Sequence, residues 1–310
     1  MESAPPDIAA PPKSSLGFFL ALMVLYVGLG GTAQGYWPAW GLAWTEIFVF
    51  LLPSAVAASG SNLRPSAFLL LARRPTVRQV ALGAAIGVAL FLAASGIMSV
   101  TTLVVPGSWV KAFDITHLFE GSPRERLAMA LIASLLAPLA EEVAFRGYLL
   151  SALRTHLRPV PAIAASSVLF AAMHLDPVRF PAVLFLGAVL GWLAWRAGSL
   201  WPAVAAHAVN NGLGSLAVLN GGGDPGVEGS VAAGLALLAV GLAAFAPLGL
   251  AWLRSTPAPP PASEDLVRIE PGDPSLRFRP TRVSPTWLAL SLAGVLLYGA
   301  LAAIHTVGRR

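Results

Sequence analysis

The chain has 310 residues, of which 56% are hydrophobic and only 11% are charged, and its mean hydropathy is +0.72. This composition excludes an ordinary soluble globular protein and predicts an all-α, polytopic membrane protein. The formal charge of +5 does not indicate nucleic-acid binding, because the basic residues lie in short loops between apolar runs. The absence of cysteine excludes disulfides, thiol catalysis and thiolate metal sites.

The apolar runs divide the chain into a tail, three groups of helices and a linker. Residues 1–15 are rich in Pro and Ala and are predicted to be a disordered tail, and residues 255–285 a polar linker. We predict eight or nine spans: N-terminal helices within 16–126, a catalytic core within 127–219 and C-terminal helices within 220–310. A span needs about 20 residues to cross a hydrocarbon core of about 30 Å. The candidate runs are 16–33, 38–59, 80–105, 127–150, 159–175, 181–197, 200–219, 231–253 and 286–308.

The loops predict how the bundle sits in the membrane. Thirteen Lys and Arg residues fall on the side of the N-terminus and six on the other side, so the positive-inside rule predicts a cytoplasmic N-terminus. The Ala-, Leu- and Pro-rich composition favours a bacterial inner membrane. Two small-residue pairs, Gly83 with Gly87 and Gly187 with Gly191, are interpreted as close helix packing within one bundle, in preference to dimerisation.

The fourth predicted span contains three ionisable residues, Glu141, Glu142 and Arg146. Each costs about 2.5–3.5 kcal/mol to place at the centre of a membrane helix, so they are expected to have a function. Glu142 and Arg146 are four residues apart and share a helix face, which predicts an ion pair. Glu141 is turned by about 100° from Glu142. The prediction is that only Glu141 is free for chemistry.

Two further spans contain polar residues that could join Glu141. On antiparallel neighbouring helices, Glu141 and His174 lie at matching depths of about 21–23 Å from the intervening turn, so His174 is the predicted partner of Glu141. His207 and Asn211 share one face of the seventh span, but they lie only about 9–15 Å from their own turn. They reach the same level only if the hairpin between the fourth and fifth spans extends farther. Asn210 is expected to point elsewhere.

These residue types favour hydrolysis of an amide. A carboxylate beside an imidazole can activate water, and a His with an Asn can stabilise the oxyanion, at about 3–4 kcal/mol for a well-placed donor. The alternative is a zinc ion bound by Glu141, His174 and His207. HExxH is absent and these three residues lie on three spans, so the spacing does not establish a metal site. The cofactor prediction therefore stays open between none and a divalent metal such as zinc.

Three motifs carry a family resemblance: Glu141-Glu142-x-x-x-Arg146, Phe170-x-x-x-His174 and His207-x-x-x-Asn211. In this order on membrane segments they resemble the signature of the CPBP family, the CAAX-protease and bacteriocin-processing intramembrane endopeptidases that include the Ras-converting CAAX endopeptidase. The resemblance implies that Glu141 is the general base, that His174 helps to activate water, and that His207 and Asn211 form the oxyanion site. Glu142 and Arg146 would support them. The family is widely labelled metalloprotease, and a metal-free glutamate mechanism, which we favour, is also proposed for it.

The predicted function is an intramembrane endopeptidase that cleaves a peptide bond near the cytoplasmic half of the bilayer. Its partners would be the lipid bilayer and a membrane-associated or lipid-modified protein substrate, with no nucleic acid. The alternative is a non-proteolytic membrane protein, such as a proton-coupled transporter or an immunity factor, that uses the same polar cluster as a proton relay.

Overall fold

The computed structural model describes residues 12–59, 65–154, 157–224 and 230–257. Every regular element in these residues is helical. The first eleven residues, most of the predicted linker and the predicted span at 286–308 lie outside the described residues. The helices are α1 (Pro12–Leu25, continued by Tyr26–Gly30 and Gly31–Tyr36), α2 (Pro38–Ser59), α3 (Pro65–Phe68), α4 (Val77–Thr101), α5 (Gly107–Ala112), α6 (Pro123–Arg154), α7 (Pro159–Met173), α8 (Phe180–Ala197), α9 (Trp201–Leu219) and α10 (Val231–Ser255).

Six of these helices are long and apolar enough to cross a membrane, namely α1, α2, α4, α6, α8 and α10. The apolar helix α7 is shorter, with 15 residues, and α9 has 19 residues but carries three polar side chains of the motif region. The chain is therefore an integral membrane protein built from helices. Each predicted run before residue 255 corresponds to one described helix, while the count of eight or nine spans stays a prediction.

Helix α4 lies at the centre of the bundle and packs against α9 and α10. A capping box begins it, in which Thr76 Oγ1 accepts a hydrogen bond from the Gln79 amide at 3.2 Å. Gly83 and Gly87 press on backbone carbonyls of α9, where a Cβ atom would overlap Pro202 and Ala206. Glycine thus allows the two helices to approach closely, which confirms that this pair packs within one bundle.

The bundle has two ends of different charge. The helices α4, α7 and α9 begin at one end, where α6 and α8 finish. Among the described residues of this end there is no Asp or Glu, and the arginines are Arg73, Arg74, Arg78, Arg154, Arg158, Arg196 and Arg254. We call it the arginine-rich end. There, the left-handed Gly198 (φ 57°) closes the α8–α9 turn, and the Leu200 amide donates to the Leu70 carbonyl at 3.0 Å.

Candidate active site

Helix α6 does not wind uniformly around the motif glutamates. A π-helical turn at Ile132–Leu136 precedes them, and a second one at Val143–Leu149 follows them. Pro138 lies just after the first turn and has no N–H to donate to the preceding turn of helix. Such wide turns occur often at functional sites. Because a π-helical turn contains more residues than an α-helical turn, these turns rotate Glu141 and Arg146 to other faces of α6 than a regular helix would give them.

Glu142 and Arg146 form the predicted ion pair, with Arg146 Nη1 at 2.7 Å from Glu142 Oε1. Both residues have no exposed surface. The guanidinium also donates from Nη2 to the Gly187 carbonyl at 3.1 Å, and its carbon lies 4.2 Å from the centre of the Phe170 ring. The absence of a side chain at Gly187 leaves room for this approach, since a Cβ atom there would lie 3.3 Å from Nη2. The pair therefore joins α6 to α7 and α8.

His207 lies between the two motif glutamates. Its Nδ1 is 3.0 Å from Glu142 Oε1, and its Nε2 is 3.6 Å from Glu141 Oε2. This arrangement differs from the prediction, which paired Glu141 with His174 by depth. His207 reaches this level although α6 runs on for about 18 Å from Glu142 to Arg154 and His207 is only about 9 Å from Trp201. The α6–α7 hairpin thus extends about 9 Å beyond the α8–α9 turn. This extension is the condition that the sequence set for His207 to lie at the same depth as the motif glutamates.

His174 directly follows α7 and contacts its own helix. Its Nδ1 is 2.9 Å from the Phe170 carbonyl, and no hydrogen bond joins it to Glu141 in the part of the chain that is described. The Phe170 ring meets both histidines edge-on, with centroid distances of 4.9 Å to His174 and 5.8 Å to His207. The next residue, Leu175, has φ 53°, a strained value for a bulky side chain and one often found near functional sites.

Asn210 and Asn211 act together, contrary to the prediction for Asn210. The Asn210 amide donates to Asn211 Oδ1 at 3.0 Å, and Asn211 Nδ2 donates to the Ala133 carbonyl at 3.1 Å. Ala133 belongs to the first π-helical turn of α6. Asn211 therefore joins the middle of α9 to α6, one turn beyond His207, and Asn210 holds the Asn211 amide.

A cavity of about 290 Å³ brings the motif residues of α7 and α9 together. His174, His207, Asn210 and Asn211 line its polar part. Its apolar walls come mainly from α4, α6, α8 and the segment 115–119, including Phe91, Met98, Leu118, Phe119, Met129 and Leu186. The cavity extends from the histidines to the end of the bundle opposite the arginine-rich end.

Arg179 lines this opposite end of the cavity. It donates to the Phe113 carbonyl at 2.5 Å and forms ion pairs with Asp176 and Asp224. Next to Phe113, the backbone N–H of Thr116 donates to the Asp114 carboxylate and holds its pKa below the usual range. Three connecting segments are thus joined by one guanidinium. The sequence reasoning assigned no role to Arg179, because its partners lie far away in the chain.

The zinc alternative does not fit this arrangement. Among the described residues, which include Glu141, His174 and His207, no three His, Asp or Glu side chains form a group that could hold a metal ion. Of the three proposed ligands, Glu141 and His207 contact each other, and His207 also contacts Glu142. His174 contacts the backbone of its own helix instead.

Sequence reasoning also missed Glu46 of α2. Its side chain is buried, with 2% of its surface exposed, and it interacts electrostatically with Glu141. The signal was present, because Glu46 is the one ionisable residue in the apolar run 38–59, and such residues are functional candidates by default.

Comparison with known proteins gives a family match for one part of the chain. Residues 123–213 match the family model Rce1-like, described as Type II CAAX prenyl endopeptidase Rce1-like. The match covers α6, α7 and α8 and most of α9, with all three motifs, and it confirms the predicted family resemblance. No curated protein and no solved structure matches the chain.

Proposed function

We propose that this protein, whose residues 123–213 belong to the Rce1-like family, is an intramembrane endopeptidase acting on a membrane-associated or lipid-modified protein. One observation carries the proposal: Glu141 contacts His207, and His207 lines a single cavity with His174 and Asn211. The apolar walls of that cavity suit a substrate segment that arrives from the membrane.

In this proposal Glu141 is the general base. Its Oε2 has no hydrogen-bond partner among the described residues and 15% of its side chain is exposed, so the carboxylate can accept a proton from water. The resulting hydroxide attacks the carbonyl carbon of the scissile peptide bond. When the carbon–nitrogen bond breaks, Glu141 returns the proton to the leaving amine. Glu141 is thus restored at the end of each cycle.

The hydrogen bonds of the two histidines define what each ring nitrogen can do. A carboxylate and a carbonyl only accept hydrogen bonds, so Nδ1 of His207 and Nδ1 of His174 both carry hydrogen. Nε2 is then the free nitrogen of each neutral ring. His174 Nε2 can orient the attacking water, while His207 Nε2 can stabilise the oxyanion only when its ring carries both protons.

Asn211 is the second proposed oxyanion donor. Its Nδ2 now donates to the Ala133 carbonyl, so the amide must turn from that carbonyl to the substrate. Catalytic hydrogen bonds often tighten only when substrate binds, which makes this rearrangement reasonable. Asn210 would hold the amide oxygen of Asn211 during the turn.

The test compares the purified protein with Glu141→Ala and Glu141→Gln on a cleaved membrane substrate. We expect the cleavage rate to fall by about 100- to 10,000-fold in both variants, since the general base is lost. Glu120→Gln is the matched control, because Glu120 is exposed at the opposite end of the bundle. Full cleavage by purified Glu141→Ala would falsify the proposal.

The substrate can be found by comparing membrane proteomes of cells that carry the wild type or Glu141→Ala. Peptides that remain untrimmed only in the variant identify the substrate and the scissile bond. If no cleavage is found with the wild type, and proton-coupled flux in vesicles is lost in Glu141→Gln, the protein is instead a non-proteolytic proton relay.

A further inference from the structure

Helix α2 buries a carboxyl group that the mechanism above does not use. Glu46 begins the π-helical turn Glu46–Leu51, and only 2% of its surface is exposed. The rest of α2 is apolar apart from Thr45 and two serines. An ionisable side chain at this position opposes insertion into the membrane, so its presence requires a compensating role.

No cation within the described residues compensates Glu46. No Lys, Arg or His of these residues forms an ion pair with it, and its Oε2 is buried there without a hydrogen-bond partner. Its electrostatic neighbour is another carboxyl group, that of Glu141. The phenol of Tyr26, at the π-helical turn of α1, interacts electrostatically with both. These three groups can each lose a proton, and none of them can carry a positive charge.

Two carboxylates in one apolar site cannot both be ionised, because each raises the cost of charging the other. Glu46 is the more deeply buried of the two, since 15% of the Glu141 side chain is exposed. Burial disfavours a charge, so we assign the neutral form to the more deeply buried carboxyl group, that of Glu46. A neutral carboxyl group has one O–H to donate.

The packing brings the segments that carry the two carboxyl groups into contact. The π-helical turn that begins at Glu46 packs against the Ala137–Glu142 segment of α6. Glu141 Oε2 is itself a buried acceptor without a partner among the described residues. An unpaired carboxyl oxygen of Glu46 and the Glu141 carboxylate thus occur on two helices that are in contact. Because a carboxylate has about four lone-pair sites, Glu141 can accept a hydrogen bond from Glu46 and still take a proton from water.

We propose that Glu46 is a positioning residue for Glu141, whose neutral carboxyl group donates its O–H to the Glu141 carboxylate and orients the base towards water. Neither glutamate is among the residues that line the cavity; Glu141 contacts the lining residue His207, and Glu46 packs behind Glu141, so we assign Glu46 a role through Glu141 and not on the substrate. This inference rests on the proposed function of Glu141, and it adds a residue that lies outside the matched region 123–213.

The first test compares three variants of α2 in the cleavage assay. Glu46→Gln keeps the size and a donor group, so its kcat should stay within a few-fold of the wild type. Glu46→Leu removes the donor, so its kcat should fall by about 10- to 100-fold, as for loss of a hydrogen bond to a charged group, with KM unchanged. Ser54→Ala is the control, because Ser54 is buried on the same helix and donates only to the Phe50 carbonyl at 2.6 Å.

Thermal unfolding in detergent separates this role from a structural one. Replacement of an unpaired buried acid by Leu should leave Tm unchanged or raise it, so a loss of kcat without a loss of Tm is expected. Wild-type kcat in Glu46→Leu overturns the proposal. A kcat in Glu46→Gln as low as that of Glu46→Leu also overturns it, because a neutral donor would then be insufficient.

Infrared spectroscopy tests whether Glu46 is protonated, and it needs no substrate. The C=O stretch of a buried, protonated carboxyl group should be present in the wild type and in Glu141→Gln, and absent in Glu46→Gln. If Glu46→Gln leaves this band unchanged, Glu46 is not the protonated group and the proposal fails. Because this readout needs no cleavage, failure of the proposed endopeptidase function leaves it interpretable.

Discussion

The buried residue Glu142 joins two of the motif helices, because it contacts both Arg146 of α6 and His207 of α9. Glu142 Oε1 accepts hydrogen bonds from Arg146 Nη1 at 2.7 Å and from His207 Nδ1 at 3.0 Å, and all three side chains are almost completely buried. The two adjacent motif glutamates therefore differ in their surroundings. Both keep an unpaired Oε2, but Glu142 accepts two hydrogen bonds through Oε1 and is fully buried, whereas Glu141 lies 3.6 Å from His207 and 15% of its side chain is exposed.

At the residue scale, we predict that Glu142→Leu destabilises the protein by about 3–5 kcal/mol, because it leaves the Arg146 charge buried without its partner. The double variant Glu142→Leu with Arg146→Met should recover most of this stability, since both charges are then gone. It should not recover cleavage, because His207 still lacks its Nδ1 partner. Unfolding in detergent and the cleavage assay measure the two effects. A double variant as unstable as Glu142→Leu would contradict the predicted pairing.

At the element scale, the position of His207 depends on how closely α9 approaches α4. Gly87 lies against the carbonyl of Ala206, the residue immediately before His207. Because this contact is between backbones, it sets the distance between the two helices directly. The packing of α4 thus bears on the geometry of the site, although α4 contributes no motif residue.

We predict that Gly87→Val destabilises the protein by about 1–3 kcal/mol or more, since the added side chain overlaps the α9 backbone. It should also lower the cleavage rate, because α9 carries His207 and Asn211 away from α6. Gly28→Ala is the control, since a Cβ atom at Gly28 meets no atom within 4 Å. The free energy of unfolding and kcat of both variants check this. Equal stability of Gly87→Val and the wild type would show that α9 is not held by this contact.

At the scale of the whole molecule, the two ends of the bundle differ in charge and in their relation to the cavity. The described part of the arginine-rich end has no acidic residue, so the positive-inside rule predicts that this end faces the cytoplasm. The cavity runs from the histidines to the opposite end, at Arg179 and Asp224. With this orientation the cavity extends towards the non-cytoplasmic half of the bilayer, whereas the sequence predicted cleavage near the cytoplasmic half.

Cysteine labelling tests the orientation cleanly, because the chain contains no cysteine. We expect a membrane-impermeant maleimide to label His117→Cys, at the opposite end, on intact cells. Arg74→Cys, at the arginine-rich end, should be labelled only after lysis. Both native side chains are exposed, so accessibility is matched. Labelling in the reverse order would place the arginine-rich end outside.

The sequence by itself determined the class of protein, the position of each described membrane helix and the family of the motif region. These features depend on local properties: apolar runs of sufficient length, and residue spacings of four within one helix. For this reason the Glu142–Arg146 ion pair follows from residue spacing alone, since both partners lie on the same helix, one turn apart.

Only the tertiary structure decided which imidazole meets which carboxylate. Depth counted from turns paired Glu141 with His174, but the helices are displaced along their axes, and His207 reaches Glu141 instead. Glycines such as Gly87 allow α9 to approach α4 closely, and the π-helical turns of α6 change its helix faces. The electrostatic contact of Glu46 with Glu141 likewise joins helices distant in sequence. Local spacing contains no information on such contacts, because they depend on how separate helices pack.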